Sequence, residues 1–173
     1  MVLLKGVNVG GHRTFRPSEL ARQLADLDVV NIGAAGTFVV RRPVTQARLR
    51  TELARRLPFA ADVMICRGRD ILELMCKPHY AGQPVRPDVV RFVSVLSRSP
   101  RSEPAMPTRF PARGPWLMKL LARERRFVFG VYRRQMKVIG CLGKIDRLFG
   151  VPATTRNWNS IVAIAEVLDG ARP

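Results

Sequence analysis

Apolar positions in the first part of the chain recur at two alternating periods, one fitting strands and one fitting helices. Residues 2–7 (VLLKGV) form an apolar run that reads as a strand, and Asn8-Val9-Gly10-Gly11-His12-Arg13 is a loop by composition. Pro17-Ser18-Glu19 then opens a helix, with proline in its first turn and an acid near the positive end of its dipole. Leu20, Leu24 and Leu27 supply its apolar stripe. Residues 29–35 read as a second strand, Gly36 as a turn or bulge, and residues 37–40 (TFVV) as a third strand rich in β-formers. A second helix is predicted over residues 44–57, with Leu49, Leu53 and Leu57 on one face and Arg48, Glu52 and Arg56 at pairing distance on another. Pro58 ends it. Residues 62–67 read as a fourth strand, followed by a short helix over residues 70–76. The resulting order, β-α-β-β-α-β, predicts an α+β fold of the ferredoxin-like type, with both helices on one face of an antiparallel sheet.

The rest of the chain punctuates differently. A proline-rich joint over residues 78–87 separates a first half (residues 1–77) from a second, smaller α+β half (residues 88–173). Residues 89–97 are a strand by their alternation, while residues 98–115 hold five prolines and predict a long surface excursion. Residues 116–121 and 127–133 read as a strand pair about the turn Arg123-Glu124-Arg125-Arg126, and two helices, near residues 142–149 and 157–168, close the chain.

Composition narrows the classes. An apolar content of 47% suits a folded domain. The three cysteines, Cys66, Cys76 and Cys141, share no CxxC spacing, which predicts a reducing, cytoplasmic setting without disulfides or structural zinc. No stretch approaches the ~20 apolar residues of a membrane span, and no signal-peptide pattern is present, so no membrane role is expected. The formal net charge of +17 points toward nucleic acid or phosphorylated ligands. Against that, 25 of the 30 basic residues are arginine, a bias that a GC-rich genome generates without selection for binding.

Two segments resemble a known family. Leu3-Leu4-Lys5-Gly6-Val7-Asn8-Val9-Gly10-Gly11, with Glu19-Leu20 shortly after, resembles the opening of a bacterial family catalogued as domain of unknown function 1697. Leu148-Phe149-Gly150-Val151-Pro152-Ala153-Thr154-Thr155-Arg156-Asn157-Trp158-Asn159 is similar to that family's closing signature, so the resemblance spans the chain. It implies a ferredoxin-like part with a second α+β part, and no reaction, cofactor or catalytic residue. His12 stands where the family usually has lysine, and Ala35-Gly36-Thr37 where it tends to have Ser-Gly-Asn.

Candidate chemistry is sparse. Residues 6–13 read G-x-x-x-x-G-H-R, one step from a phosphate-binding loop, but His12 replaces its lysine and Arg13 its hydroxyl. Two readings remain: an anion-binding loop using Gly10, Gly11, His12 and Arg13, or a plain tight turn. Thr154 to Asn159 reads as the start of the last helix, with Thr155 or Asn157 as N-cap and Trp158 burying its ring. The functional alternative sets Thr155 and Arg156 at that helix end to hold an anion. Residues 98–137 carry eleven basic residues against Glu103 and Glu124, interleaved with aromatics. Arg123, Arg125, Arg126, Arg133, Arg134, Trp116 and Tyr132 are the nucleic-acid candidates there, whereas the alternation of Phe127, Phe129 and Val131 predicts a core-facing strand. The two histidines give no metal-ligand pattern, no catalytic triad is recognisable, and Cys141 reads as a small buried thiol. The sequence therefore supports a basic accessory protein that binds phosphate-bearing ligands or nucleic acid. The alternative is an enzyme or small-molecule binder with an anion site between the halves, near Gly10-Gly11 and Arg156.

Overall fold

The computed structural model describes residues 1–7 and 15–170. The chain is α+β and forms two compact units, one from Met1–Cys76 together with the chain from Ser160, the other from Lys77–Asn159.

The first unit holds β1 (Val2–Leu4), α1 (Pro17–Gln23), β2 (Val29–Asn31), β3 (Thr37–Val40), α2 (Gln46–Arg56), β4 (Val63–Ile65) and α3 (Gly68–Met75). Its strands are antiparallel in the order β2-β3-β1-β4. Alternation puts Val2, Leu4, Phe38 and Ile65 on one face, where they share a core with Leu20 and Leu24 from the α1 region and Leu49 and Leu53 of α2. Pro17 occupies the first turn of α1 as expected, and Thr45 caps α2 by accepting from the Arg48 N–H at 3.2 Å. Gly36 turns the chain at φ +65°, and a side chain there would strike Val7 and Leu4, so two independent constraints favour glycine.

The second unit is a five-stranded antiparallel sheet in the order β6-β7-β8-β5-β9. Its strands are β5 (Val89–Leu96), β6 (Thr108–Phe110), β7 (Met118–Glu124), β8 (Phe127–Arg133) and β9 (Ala153–Asn157). Two short helices, α4 (Val138–Leu142) and α5 (Ile145–Phe149), cover one face, burying Val138, Cys141, Ile145 and Phe149 against Phe92, Leu96, Met118, Leu120 and Val128. Gly150, at φ +65°, ends α5. Arg125 and Arg126 form the turn between β7 and β8, with Arg125 at φ 51°. The chain leaves this unit in the first turn of α6 (Trp158–Asp169).

Three expectations change. The proline-rich stretch is not all irregular, because β6 lies within it and pairs with β7 from Thr108↔Leu120 to Phe110↔Met118. The helix expected over residues 142–149 is two helices, broken at Gly143-Lys144. Thr154, Thr155 and Arg156 do not begin a helix; they lie in β9, paired to β5 across five residues, and the helix starts only at Trp158. Two adjacent β-branched residues beside an open edge of β5 favour the ladder over a cap. No helix among the described residues is long and apolar enough to cross a membrane.

Candidate functional site

The residues singled out from sequence scatter when placed on this frame. Gly10, Gly11, His12 and Arg13 lie outside the described residues. Thr155 and Arg156 are neighbours on β9 and therefore point to opposite faces, so they cannot grip one anion. Thr155 faces Ser94, its directly paired residue, and their hydroxyl oxygens lie 2.6 Å apart. Arg156 is 7% exposed and donates to Thr154 Oγ1 and to the Thr155 carbonyl, both at 2.9 Å. Burial pushes its pKa down to about 10, which marks a structural arginine enclosed in protein.

The nucleic-acid candidates divide between the two ends of the β7–β8 hairpin. At the turn, Arg123 grips Glu103 with two bonds of 2.7 Å, holding that carboxyl below its usual range, and Arg126 donates to the Ser97 carbonyl at 3.1 Å. Charge there is spent on the fold. Tyr132 lies half-buried against Phe92, with ring centroids 5.8 Å apart on the helix-covered face, so part of its ring belongs to the core. Arg133, Arg134 and Trp116 come together at the opposite end.

That end of the sheet, where β5 begins and β8 and β9 finish, carries a cleft of about 230 Å³. Arg86, Arg91, Arg134, Asn157, Trp158 and Asn159 line it, and no acid among the described residues does. Tyr80 is the anchor behind it. Its buried hydroxyl donates to the Phe92 carbonyl at 2.7 Å, and burial raises its pKa. The Tyr80 ring takes the Arg91 guanidinium at 5.5 Å and the Trp158 indole edge-on at 5.1 Å. Arg91 is thus fixed by an aromatic face, which orders a cation without neutralising it. Asp88 stands beside the cleft and is shared by Arg86 (2.9 Å) and Arg133 (3.4 Å), while Arg134 makes no ion pair among the described residues. Arginine and amide donors around a small concavity can bind the oxygens of a phosphate or carboxylate.

Sequence reasoning missed Arg86, Arg91 and Tyr80, and gave Asn157 and Trp158 only a capping and core role. One signal was available: Arg91 interrupts the apolar run Val89-Val90-Arg91-Phe92-Val93, an unusual position for a charge without a specific contact. Among the described residues no cluster of His, Cys, Asp and Glu could hold a metal. No protein-family model matches this chain, and no curated protein and no solved structure matches it.

Proposed function

We propose that this chain is a binding protein whose second unit holds a phosphate-bearing anion in the cleft of Arg86, Arg91, Arg134, Asn157 and Asn159. The observation that carries this reading is convergence: three guanidiniums and two amides line one concavity, and of the three only Arg86 faces an acid among the described residues, Asp88 at 2.9 Å. Evenly spread genomic arginine would give each cation its own acid or its own patch of solvent, as at Arg22–Glu19 and Arg41–Asp28. The two family-like segments support membership of the domain of unknown function 1697 family. The strand order β2-β3-β1-β4 supports a ferredoxin-like first unit, and three free cysteines fit a reducing cytoplasm.

The test is calorimetric titration with inorganic pyrophosphate at low salt. Wild type should bind, and Arg134→Ala, which removes an exposed side chain that makes no ion pair among the described residues, should weaken binding about tenfold at unchanged melting temperature. Arg22→Ala serves as the control. Equal affinity in wild type and Arg134→Ala, or equal losses from both variants, would remove the cleft as the site.

A further inference from the structure

We infer that the ligand of this cleft is a free nucleoside monophosphate, held by its phosphate on the arginines and by its base on Trp158; this rests on the cleft reading above. The arginines account for only part of the lining. Pro84, Val85, Val89 and Val90 line the same concavity, and they offer nothing to a phosphate. Val85 is 87% exposed, more than any other large apolar side chain among the described residues. An apolar side chain left in water at a charged site suits a ligand that carries an apolar body beside its anion. Trp158 supplies the surface for that body. It is half-buried, lines the cleft and meets Tyr80 at 67°, so among the described residues no ring lies flat on the indole. A nucleobase is a flat ring of the kind that stacks on tryptophan.

The amides narrow the class further. Asn157 and Asn159 each bring a carbonyl oxygen together with an NH2 group. An ionised phosphate accepts hydrogen bonds and repels a carbonyl oxygen, so a fourth arginine would serve an inorganic anion better than either amide. The edge of a base presents donors and acceptors side by side, a pattern that asparagine matches with both of its atoms, as it does on adenine. Charge and size fix the other end. Arg91 and Arg134 make no ion pair among the described residues, and the Tyr80 ring holds the Arg91 guanidinium at 5.5 Å without neutralising it. The cleft volume, about 230 Å³, lies below the roughly 300–1,000 Å³ of sites that enclose drug-sized ligands, so it admits one nucleotide with an end in solvent and not a dinucleotide. A sugar phosphate would leave the indole, the amide carbonyls and the valines without a counterpart.

The experiment is calorimetric titration of the full chain with adenosine monophosphate, ribose 5-phosphate and inorganic pyrophosphate, on wild type, Trp158→Leu, Asn159→Ala and Arg134→Ala. Ribose 5-phosphate keeps the sugar and the phosphate and lacks the base. The inference expects adenosine monophosphate to bind wild type about tenfold more tightly than ribose 5-phosphate. Trp158→Leu, which keeps apolar bulk and removes the stacking surface, should erase that margin and leave ribose 5-phosphate affinity unchanged. Arg134→Ala should weaken both ligands alike. Asn159 is exposed, so Asn159→Ala keeps the inference testable if the tryptophan variant does not fold, and it should cut the margin about threefold. Equal affinities of wild type for adenosine monophosphate and ribose 5-phosphate, alongside pyrophosphate binding, would overturn the inference and leave the cleft reading intact. So would a margin that survives both Trp158→Leu and Asn159→Ala, since the base would then lie elsewhere. A twelve-nucleotide oligothymidylate that displaces adenosine monophosphate at lower concentration would also overturn it, because a strand rather than a free nucleotide would then occupy the cleft. If no probe binds wild type, both readings fall.

Discussion

Gly130 shows how one missing side chain shapes the second unit. It lies on β8 opposite Phe92, and a methyl group there would collide with the Phe92 ring and with the Lys119 carbonyl oxygen. The ring fills the space that glycine leaves, and β7 carries its register shift between Leu120 and Ala122 just beside it. Gly130→Ala should therefore cost about 3 kcal/mol, the upper part of the range for overpacking, because the obstacle includes backbone; urea denaturation measures it. His79 gives a different kind of sensitivity. Its ring stacks flat on Phe129 at 3.6 Å, its side chain is only 9% exposed, and its buried Nε2 has no hydrogen-bond partner among the described residues although Glu124 Oε2 lies 3.9 Å away. Burial lowers its pKa; Glu124 opposes that shift, and Lys77, itself paired to Glu124 at 2.6 Å, adds to it. A depressed folded-state pKa means the unfolded chain binds the proton more readily. Stability is then fully present above the unfolded value of about 6.5 and is lost as pH falls through the folded value. Melting temperature should drop between about pH 7.5 and pH 5.5, and His79→Phe, which keeps a flat ring against Phe129, should flatten that drop. A drop of equal size in the variant would assign it to other groups.

At the scale of elements, what was legible and what was not follow from the length over which each signal acts. The two helices of the first unit carry apolar stripes and end signals within their own residues: Pro17 and Leu20 for α1, Thr45, Leu49 and Leu53 for α2. Thr37 to Val40 likewise declares its strand by composition alone. β9 could not be read this way, because its identity depends on an open edge of β5 some sixty residues earlier, and its Thr-Thr-Arg-Asn string also fits a helix cap. β6 was hidden by flanking prolines, which forbid a central strand but allow a short outer one. The arginine cleft is less legible still, since Arg86, Arg91, Arg134 and Asn157 come from four separate segments, and only the register brings them together. The β5–β9 pairing has its own test. Ser94 is fully buried and its hydroxyl meets Thr155 across the ladder. Thr155→Val should cost about 1–2 kcal/mol by leaving a buried hydroxyl unpaired, and adding Ser94→Ala should recover part of that loss. Additive losses in the double variant would mean the two hydroxyls do not depend on one another.

For the molecule as a whole, a net charge of +17 says less than where the charge remains uncancelled. On the surface of the first unit, Arg22, Arg41, Arg55 and Arg56 face acids, and at the β7–β8 turn Arg123 does the same. Such exposed pairs contribute little to stability, yet they quiet the field locally. The composition was plain in the sequence; which arginines are paired and which, like Arg134, make no ion pair among the described residues was hidden, because it depends on which acid each arginine reaches. The outer strand β6 has a further consequence. A sheet's last strand presents unpaired backbone groups to any other strand that approaches, a second copy of the same chain included. β6 is three residues long, enclosed by Pro107 and Pro111, and bears Arg109 at its middle. Each property blocks strand addition: brevity limits the ladder, proline withholds donors, and charge repels an identical edge. Arg109 and its flanking prolines therefore keep neighbouring molecules from joining sheet to sheet at this edge, so the same short strand that completes the sheet also stops it from growing.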